Sequence, residues 1–322
     1  MKFSVDGWDP AYGPAFEVDE LTESTAAVDP TIETSADAWA PMPLSAPVKL
    51  PTRVLFVDGV RRTDARVWID DGDPASDGQR AVAGLCASYA AGVVQAEGNT
   101  AEVVISEVRR RLITEAHSAT HVETEAGNYT LHHVTAKPNQ PIALTLSNAL
   151  QESLLELEAI VAANARAAAP PGQDDLLIVD GPMRGKAELP RILGYIKTHG
   201  AQYLPPDLNA VVAELETDER TPVFSIATGW QRYSWYLRLP CAPAGPWTGV
   251  VRLEASPNLD VSGVTALANL SQALLKRFAS VEYKDSRAPQ NLVPIAGLEK
   301  DLRHRLGAAP VLYRALRVAS HA

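Results

Sequence analysis

The sequence predicts a mixed α/β fold in which helices flank a mixed sheet. Strand-like runs come first, beginning at residue 53, and a helical repeat of leucines begins only near residue 144. The continuous apolar run at residues 175–181 follows that helix, and such runs are typical of strands buried on both faces. Strands, then a helix, then a buried strand indicate a mixed sheet covered by helices.

The strand-like runs open the predicted sheet. They cover residues 53–60, 66–70, 82–95 and 101–113. The first run ends in Asp58-Gly59, a pair that favours turns. We therefore expect a strand that stops near Asp58 and leads into an antiparallel arrangement.

A long helix separates these strands from the second half of the chain. Leu150, Leu154, Leu157 and Val161 recur at the spacing of one helix face, which predicts a helix from residue 144 to about 168. Further elements are predicted in chain order: a helix at 189–199, strands at 222–228, 234–239 and 249–255, and helices at 262–280, 298–306 and 311–319.

Composition restricts the class of protein. The chain has 322 residues, of which 46% are hydrophobic, and this is enough for one large core or two modest ones. It has no run of 18 apolar residues and no signal-like N-terminus, so we expect a cytoplasmic protein without a membrane segment. Two cysteines, Cys86 and Cys241, are too few for a disulfide scaffold or a cysteine-based zinc site.

The net charge of -10 is concentrated in one segment. Residues 1–48 contain nine acidic residues and one base, Lys2, so the rest of the chain carries only about -2. We predict an extended acidic arm over 1–48 that lies along the basic body or a partner protomer, or remains mobile. Deleting residues 1–45 should leave the core folded but weaken dimerisation or change non-specific DNA affinity. A single domain would then cover residues 49–322. Basic clusters in that body are compatible with a nucleic-acid partner, because affinity for phosphate depends on local positive charge and not on the net charge of the chain.

Carboxylates are placed where a metal site needs them. Hydrolysis of a phosphodiester with two metal ions requires several carboxylates that converge on Mg²⁺ or Mn²⁺. Asp58 and Asp180 end two predicted buried strands, and Glu158 lies on the flank of the leucine face of the intervening helix. Glu152 and Glu156 point away from that face, so Glu158 is the first choice for a third ligand. The alternative is that both Asp-Gly pairs only form turns.

Five segments together resemble the NurA domain, especially its divergent actinobacterial-type members. They are VLFVDGV at 54–60, LLIVDGPM at 176–183, LGYIKTH at 193–199, the YSWYLRLP and VVRLEAS strands within 233–256, and APQNLVPIAGLEKDLRHRLG at 288–307. Each segment is short, but the five occur in the order expected for the family.

The resemblance implies a ribonuclease-H-like core in a nuclease that uses Mn²⁺ or Mg²⁺ to process DNA ends during double-strand break repair. It also implies a homodimer that docks on a hexameric HerA-type ATPase. By the same resemblance Asp58, Asp180 and Glu158 ligate the metal, with Glu156 in reserve, and Lys197 contacts a phosphate or the transition state. The candidates for DNA contact are Arg61, Arg184, Lys186, Arg287 and Asn291.

One feature departs from the family. Its C-terminal stretch carries a histidine that is absent here, and Asn291, Glu299 and Asp285 are the candidates to replace it. Two other functions therefore stay open, a non-catalytic NurA-like structural subunit and a nucleic-acid-binding scaffold of a translocase complex. Binding of a divalent cation separates the nuclease from both.

Overall fold

The computed structural model describes residues 22–23, 26–71, 81–135, 138–168, 172–183, 185–186, 188–242 and 244–321. None of the helices within these ranges is long and apolar enough to cross a bilayer. The chain divides into two compact units. The first unit consists of Met1–Phe56, Gln95–Glu102 and Pro170–Ala296, and the second of Val57–Val94, Val103–Ala169 and Gly297–Ala322.

The described residues form twelve strands and five α-helices. The strands are β1 Thr22–Glu23, β2 Ala27–Asp29, β3 Arg53–Asp70, β4 Ala81–Glu97, β5 Thr100–Thr114, β6 Thr130–His133, β7 Asp175–Asp180, β8 Ile192–Ile196, β9 Ala201–Gln202, β10 Phe224–Ala227, β11 Gln231–Arg238 and β12 Val250–Ala255. The helices are α1 Ile142–Ala167, α2 Pro206–Glu214, α3 Val261–Leu274, α4 Val293–Arg305 and α5 Ala309–Ala319.

The first unit holds a mixed set of strands in the order β2-β10-β11-β12-β8-β7, followed by the beginning of β3. Neighbours from β2 to β8 pair in antiparallel fashion, whereas β8 and β7 are parallel. The second unit holds the rest of β3, most of β4 and β5, and β6, whereas Gln95–Glu102 at the ends of β4 and β5 belongs to the first unit. A two-residue turn at Gly98 and Asn99 joins β4 to β5, as in a hairpin.

Strand β3 belongs to both units. Along the sheet order, β7 follows it on one side and β4 on the other. In the chain, helix α1 comes between the β4–β5 hairpin and β7. This combination of strand order and connecting helix is that of the ribonuclease-H-like fold, so the predicted fold class is confirmed.

Helices cover both faces of the first unit's strands. Trp235 and Tyr236 are neighbours on β11, so their side chains point to opposite faces. Tyr236 packs in a buried cluster with Leu208 and Val212 of α2. On the other face, the Trp235 indole donates a hydrogen bond to Ser271 of α3, at 3.1 Å. Sequence analysis had not predicted α2, whose nine residues offer little periodicity.

Part of the acidic segment is built into the first unit. Strand β2 pairs with β10, and Trp39 is 9% exposed in the same cluster as Tyr236. Glu33 forms an ion pair with Arg220, which is 1% exposed. This part of the segment therefore lies along the body, one of the predicted alternatives, and the dispensability of residues 1–45 for folding stays a prediction that these buried contacts argue against. Residues 1–21 lie outside the described residues.

In the second unit, the predicted leucine face packs as expected. Leu150, Leu154, Leu157 and Val161 are all buried on α1. Glycine at position 92 of β4 permits close approach of α4, since a Cβ there would lie 3.0 Å from Leu298 Cδ1. The long helix and the two C-terminal helices predicted from the sequence are thus present.

Two local predictions are wrong. Residues 189–199 were expected to be helical, but residues 192–196 form β8, which is buried along its whole length. A short apolar run bounded by proline does not distinguish a strand from a helix. Asp58 was expected to end a strand, yet β3 continues for twelve residues beyond it to Asp70.

Candidate functional site

The two Asp-Gly pairs have different backbone roles. Gly181 has φ 101° and follows the last residue of β7, so a left-handed glycine ends that strand at Asp180. Gly59 lies inside β3 and is not among the described glycines with positive φ. The turn interpretation therefore fits the backbone at Asp180 and is wrong at Asp58.

Gly59 has a packing role instead. A Cβ built on Gly59 would lie 2.6 Å from Leu154 Cδ1 and 2.7 Å from Glu158 Oε1. Only glycine permits this approach, so helix α1 can press the Glu158 carboxylate against the backbone next to Asp58. Asp58 and Glu158 are 8% and 5% exposed, respectively. The second unit thus holds two buried carboxylates on adjoining elements.

The register of α1 separates the two candidate glutamates. Glu158 faces β3, whereas the Glu156 side chain is 61% exposed and lies 3.7 Å from the Arg111 guanidinium. This placement favours Glu158 over Glu156 as a metal ligand, since a surface ion pair leaves Glu156 on the outer side of the helix.

In the first unit, Asp180 and Lys197 meet. The Lys197 ammonium donates to Asp180 Oδ2 at 2.6 Å, and the two side chains are 12% and 16% exposed, with Lys197 the more buried. Strands β7 and β8 are parallel, and Asp180 is paired in register with Tyr195. Lys197 follows Tyr195 by two residues, so both side chains point to the face that carries Asp180.

Two of the three candidates to replace the family histidine join this cluster. Asn291 accepts a hydrogen bond from Lys197 at 3.2 Å and donates one to Asp285 at 2.6 Å. Glu299 belongs to the second unit and forms an ion pair with Arg303. The structure therefore brings Asn291 and Asp285 to Lys197, and it does so through an irregular segment that sequence periodicity does not reveal.

A small cavity opens beside this cluster. Its volume is about 300 Å³, and its lining includes Asp180, Lys197, Thr198 and Arg287. Tyr195 also lines it and donates to the Gln290 carbonyl at 2.6 Å. Burial, together with the charge of Asp180, raises the pKa of the Tyr195 phenol well above its usual value, so the phenol stays protonated and remains a donor. Tyr195 and Thr198 were not predicted for the site from the sequence, although both lie within two positions of Lys197.

The five candidate DNA contacts have different positions. Arg61 is exposed on β3, and Arg287 lines the cavity beside Asp180. Lys186 is 2% exposed and Asn291 is fully buried, which argues against direct contact of these two with DNA, and the contact stays a prediction. Arg184 lies outside the described residues.

The oxygen donors suit a hard divalent cation. Asp58 and Glu158 are carboxylates, and carboxylate oxygens are the ligands that Mg²⁺ and Mn²⁺ prefer. Among the described residues, no group of three or more His, Cys, Asp or Glu is arranged to hold a metal ion. The pair fits a cation, and the assignment of Asp180 as a third ligand stays a prediction.

The fold and these clusters define a ribonuclease-H-like α/β protein with acidic side chains at strand positions. No protein-family model and no curated protein matches the sequence. Among solved structures, the chain is similar to the NurA nuclease from Sulfolobus solfataricus, with a TM-score of 0.45 and 10% identity over 83% of this chain and 84% of that chain.

Two endonuclease V structures are also similar in fold. The protein from Bacillus subtilis gives a TM-score of 0.35 and 13% identity over 81% of this chain and 84% of that chain. Human ENDOV gives a TM-score of 0.35 and 17% identity over 80% of this chain and 84% of that chain. At such identities the likeness concerns the fold alone.

Proposed function

We propose that this protein is a divalent-metal-dependent nuclease that hydrolyses phosphodiester bonds in DNA. The observation that carries the proposal is the close approach at Gly59, which holds the buried Glu158 carboxylate against the strand that bears Asp58. Gly59 thus lets α1 bring the Glu158 carboxylate to the strand that carries Asp58, and carboxylate oxygens are the ligands that Mg²⁺ and Mn²⁺ prefer.

The chain's own groups have distinct roles in this proposal. Asp58 and Glu158 hold the cation, and the role of Asp180 as a further ligand is proposed from the sequence alone. When bound, a divalent cation activates water and offsets charge on the phosphate oxygens. Lys197 supplies a fixed positive charge, since its ammonium is held at Asp180 by a 2.6 Å hydrogen bond. A charge fixed in place before the reaction stabilises a developing negative charge without reorganisation.

The biological setting is proposed from the sequence resemblance alone. We infer that the substrate is a DNA end, that the cation is Mn²⁺ or Mg²⁺, and that the protein acts in the cytoplasm as a homodimer beside a HerA-type hexameric ATPase. Size-exclusion chromatography with light scattering, alone and with the ATPase, tests the assembly. A monomer that does not bind the ATPase would contradict this part without affecting the nuclease itself.

A non-catalytic subunit is the second candidate function. It is favoured by one observation: Asn291, one of the three candidates to replace the family histidine, has its amide already engaged by Lys197 and Asp285. A structural subunit would keep the fold and the partner interface but show no cleavage with any cation. A scaffold would in addition show no response to a cation at all.

The test compares the parent protein with Asp180→Asn. Because binding of Mn²⁺ to the folded state alone raises its stability, we expect Mn²⁺ to raise the Tm of the parent and to stimulate cleavage of linear DNA, with EDTA abolishing both. Asp180→Asn should lose the Mn²⁺ shift and most of the cleavage. Asp207→Asn, an exposed change of the same charge in the first unit, is the control and should behave like the parent. Equal Mn²⁺ shifts and equal cleavage in all three proteins would contradict the role of Asp180.

A further inference from the structure

The Lys197 ammonium is held by two groups rather than one. Asp180 Oδ2 accepts its hydrogen bond at 2.6 Å, and Asn291 Oδ1 accepts another at 3.2 Å. Asn291 is fully buried although it is an uncharged polar residue. A buried amide is costly unless its donors and acceptors are satisfied, so its orientation is under strong constraint.

Asp285 determines which way the Asn291 amide points. The Asn291 nitrogen donates to Asp285 Oδ2 at 2.6 Å. A carboxylate only accepts and an ammonium only donates, so the amide nitrogen must face Asp285 and the amide oxygen must face Lys197. The reverse orientation would place donor against donor and acceptor against acceptor.

The segment that carries both residues is anchored. The other oxygen of Asp285 accepts from the backbone N–H of Arg287 at 2.8 Å, and the backbone N–H of Asn291 donates to the Arg287 carbonyl at 2.9 Å. The phenol of Tyr195, on the same strand face as Lys197, binds the Gln290 carbonyl at 2.6 Å. The amide is therefore fixed relative to strand β8 from which Lys197 extends.

We propose that Asn291, oriented by Asp285, is a positioning residue that holds the Lys197 ammonium beside Asp180. A lysine side chain has a flexible four-carbon stem, and a second acceptor removes most of its freedom. The contribution to catalysis rests on the proposed nuclease function, because a fixed ammonium is useful only where phosphate charge develops. The arrangement itself does not depend on that function.

The first experiment measures the amine directly. An amine-acylating reagent is applied to the full chain, and labelling of Lys197 is followed by mass spectrometry, with Lys276 as the internal reference. In Asn291→Ala and Asp285→Ala, Lys197 should be labelled about tenfold faster relative to Lys276, the size expected from the loss of one hydrogen bond to a charged group. Gln290→Ala removes the neighbouring buried amide side chain and should leave the rate as in the parent.

The second measurement is cleavage of linear DNA by the same proteins. Asn291→Ala should lower kcat by about 10–100-fold, the usual effect of removing a group that orients a functional side chain, with little change in KM. If the parent cleaves no DNA, the proposed function fails while the labelling rates still test the positioning role.

An unchanged labelling rate in Asn291→Ala, or an equal rise in Gln290→Ala, would overturn the proposal. Should Asn291→Ala fail to fold, Asp285→Ala decides, since Asp285 is only half-buried and its loss frees the amide without emptying its site. A parent-like labelling rate in folded Asp285→Ala would overturn the orienting role.

Discussion

At the scale of single residues, the same Val-Asp-Gly tripeptide has two different structural roles. Both Val-Asp-Gly segments were predicted to end strands, but only Gly181 adopts a left-handed backbone. Gly59 keeps an extended strand and makes room for Glu158. The same tripeptide therefore ends a strand at Gly181 and contacts a helix at Gly59. The difference depends on what packs against the glycine.

Gly59→Ala tests the packing role of this glycine. The added Cβ would lie within 2.7 Å of both Leu154 Cδ1 and Glu158 Oε1, so the helix must shift. We expect a loss of about 1–3 kcal/mol in the free energy of unfolding, the usual range for overpacking, together with a smaller Mn²⁺-induced rise in Tm. Gly297→Ala, where nothing lies within 4 Å of the added Cβ, is the control and should be neutral or slightly stabilising. Equal unfolding midpoints and equal Mn²⁺ responses in all three proteins would show that Gly59 does not have this role.

At the scale of elements, the segment before β3 takes part in the buried contacts of the first unit, which its net negative charge did not indicate. Arg220 is 1% exposed and forms two hydrogen bonds with Glu33, at 2.7 and 2.8 Å. The negative charge that predicted an extended arm is, at Glu33, the partner of a buried arginine. Counting charges along the sequence does not show which of them are paired after folding.

Glu33→Ala should reveal this pairing as lost stability. Removing one partner of a buried ion pair leaves the other charge uncompensated, and we expect a loss of about 3–5 kcal/mol in the free energy of unfolding. Asp37→Ala, an exposed change of the same charge in the same segment, should alter stability by about 0.5 kcal/mol or less. Denaturant unfolding measures both, and equal effects of the two changes would contradict a structural role for Glu33.

The buried His199, in the segment after β8, predicts that the free energy of unfolding depends on pH. His199 donates to the Val250 carbonyl at 3.1 Å and packs on Tyr236 and Trp247, and burial lowers its pKa to about 4. As the pH falls from 6.5 to 4, the unfolded chain binds a proton there and the folded chain does not. The folded state should thus lose stability over this window, by up to about 3 kcal/mol at this residue.

His199→Gln keeps a donor for Val250 but does not titrate, so its stability should fall less steeply between pH 6.5 and pH 4 than that of the parent. The exposed His304→Gln is the control and should follow the parent curve. Parallel curves for His199→Gln and the parent would show that His199 is not buried in its neutral form.

At the scale of the whole molecule, the order of elements was predictable and some of their identities were not. The leucine spacing of α1 and the apolar run of β7 are strong periodic signals, and both were predicted correctly. Strand β8 was mistaken for a helix because five apolar residues carry no decisive period. Close packing constrains this strand instead: a Cβ on Gly194 would lie 2.8 Å from Met183 Cγ.

The candidate site was predictable only in part for a similar reason. Carboxylates and lysines within regular elements can be chosen by their position on a face, as Glu158 was. The contact of Lys197 with Asn291 joins residues 94 positions apart through an irregular segment, where no periodicity marks the inward side chains. Such a contact becomes visible only when the chain is folded.

Cleavage of linear DNA with Mn²⁺ by Glu158→Gln, compared with Glu156→Gln, tests the central claim most directly. The two changes remove the same charge from the same helix, but the Glu158 residue is 5% exposed against β3 and the Glu156 side chain is 61% exposed. We expect Glu158→Gln to lose cleavage by several orders of magnitude, because the proposed metal ligand is removed, and Glu156→Gln to retain the activity of the parent. Equal activity in the two variants, or no cleavage by the parent with any divalent cation, would contradict the assignment of this protein as a metal-dependent nuclease.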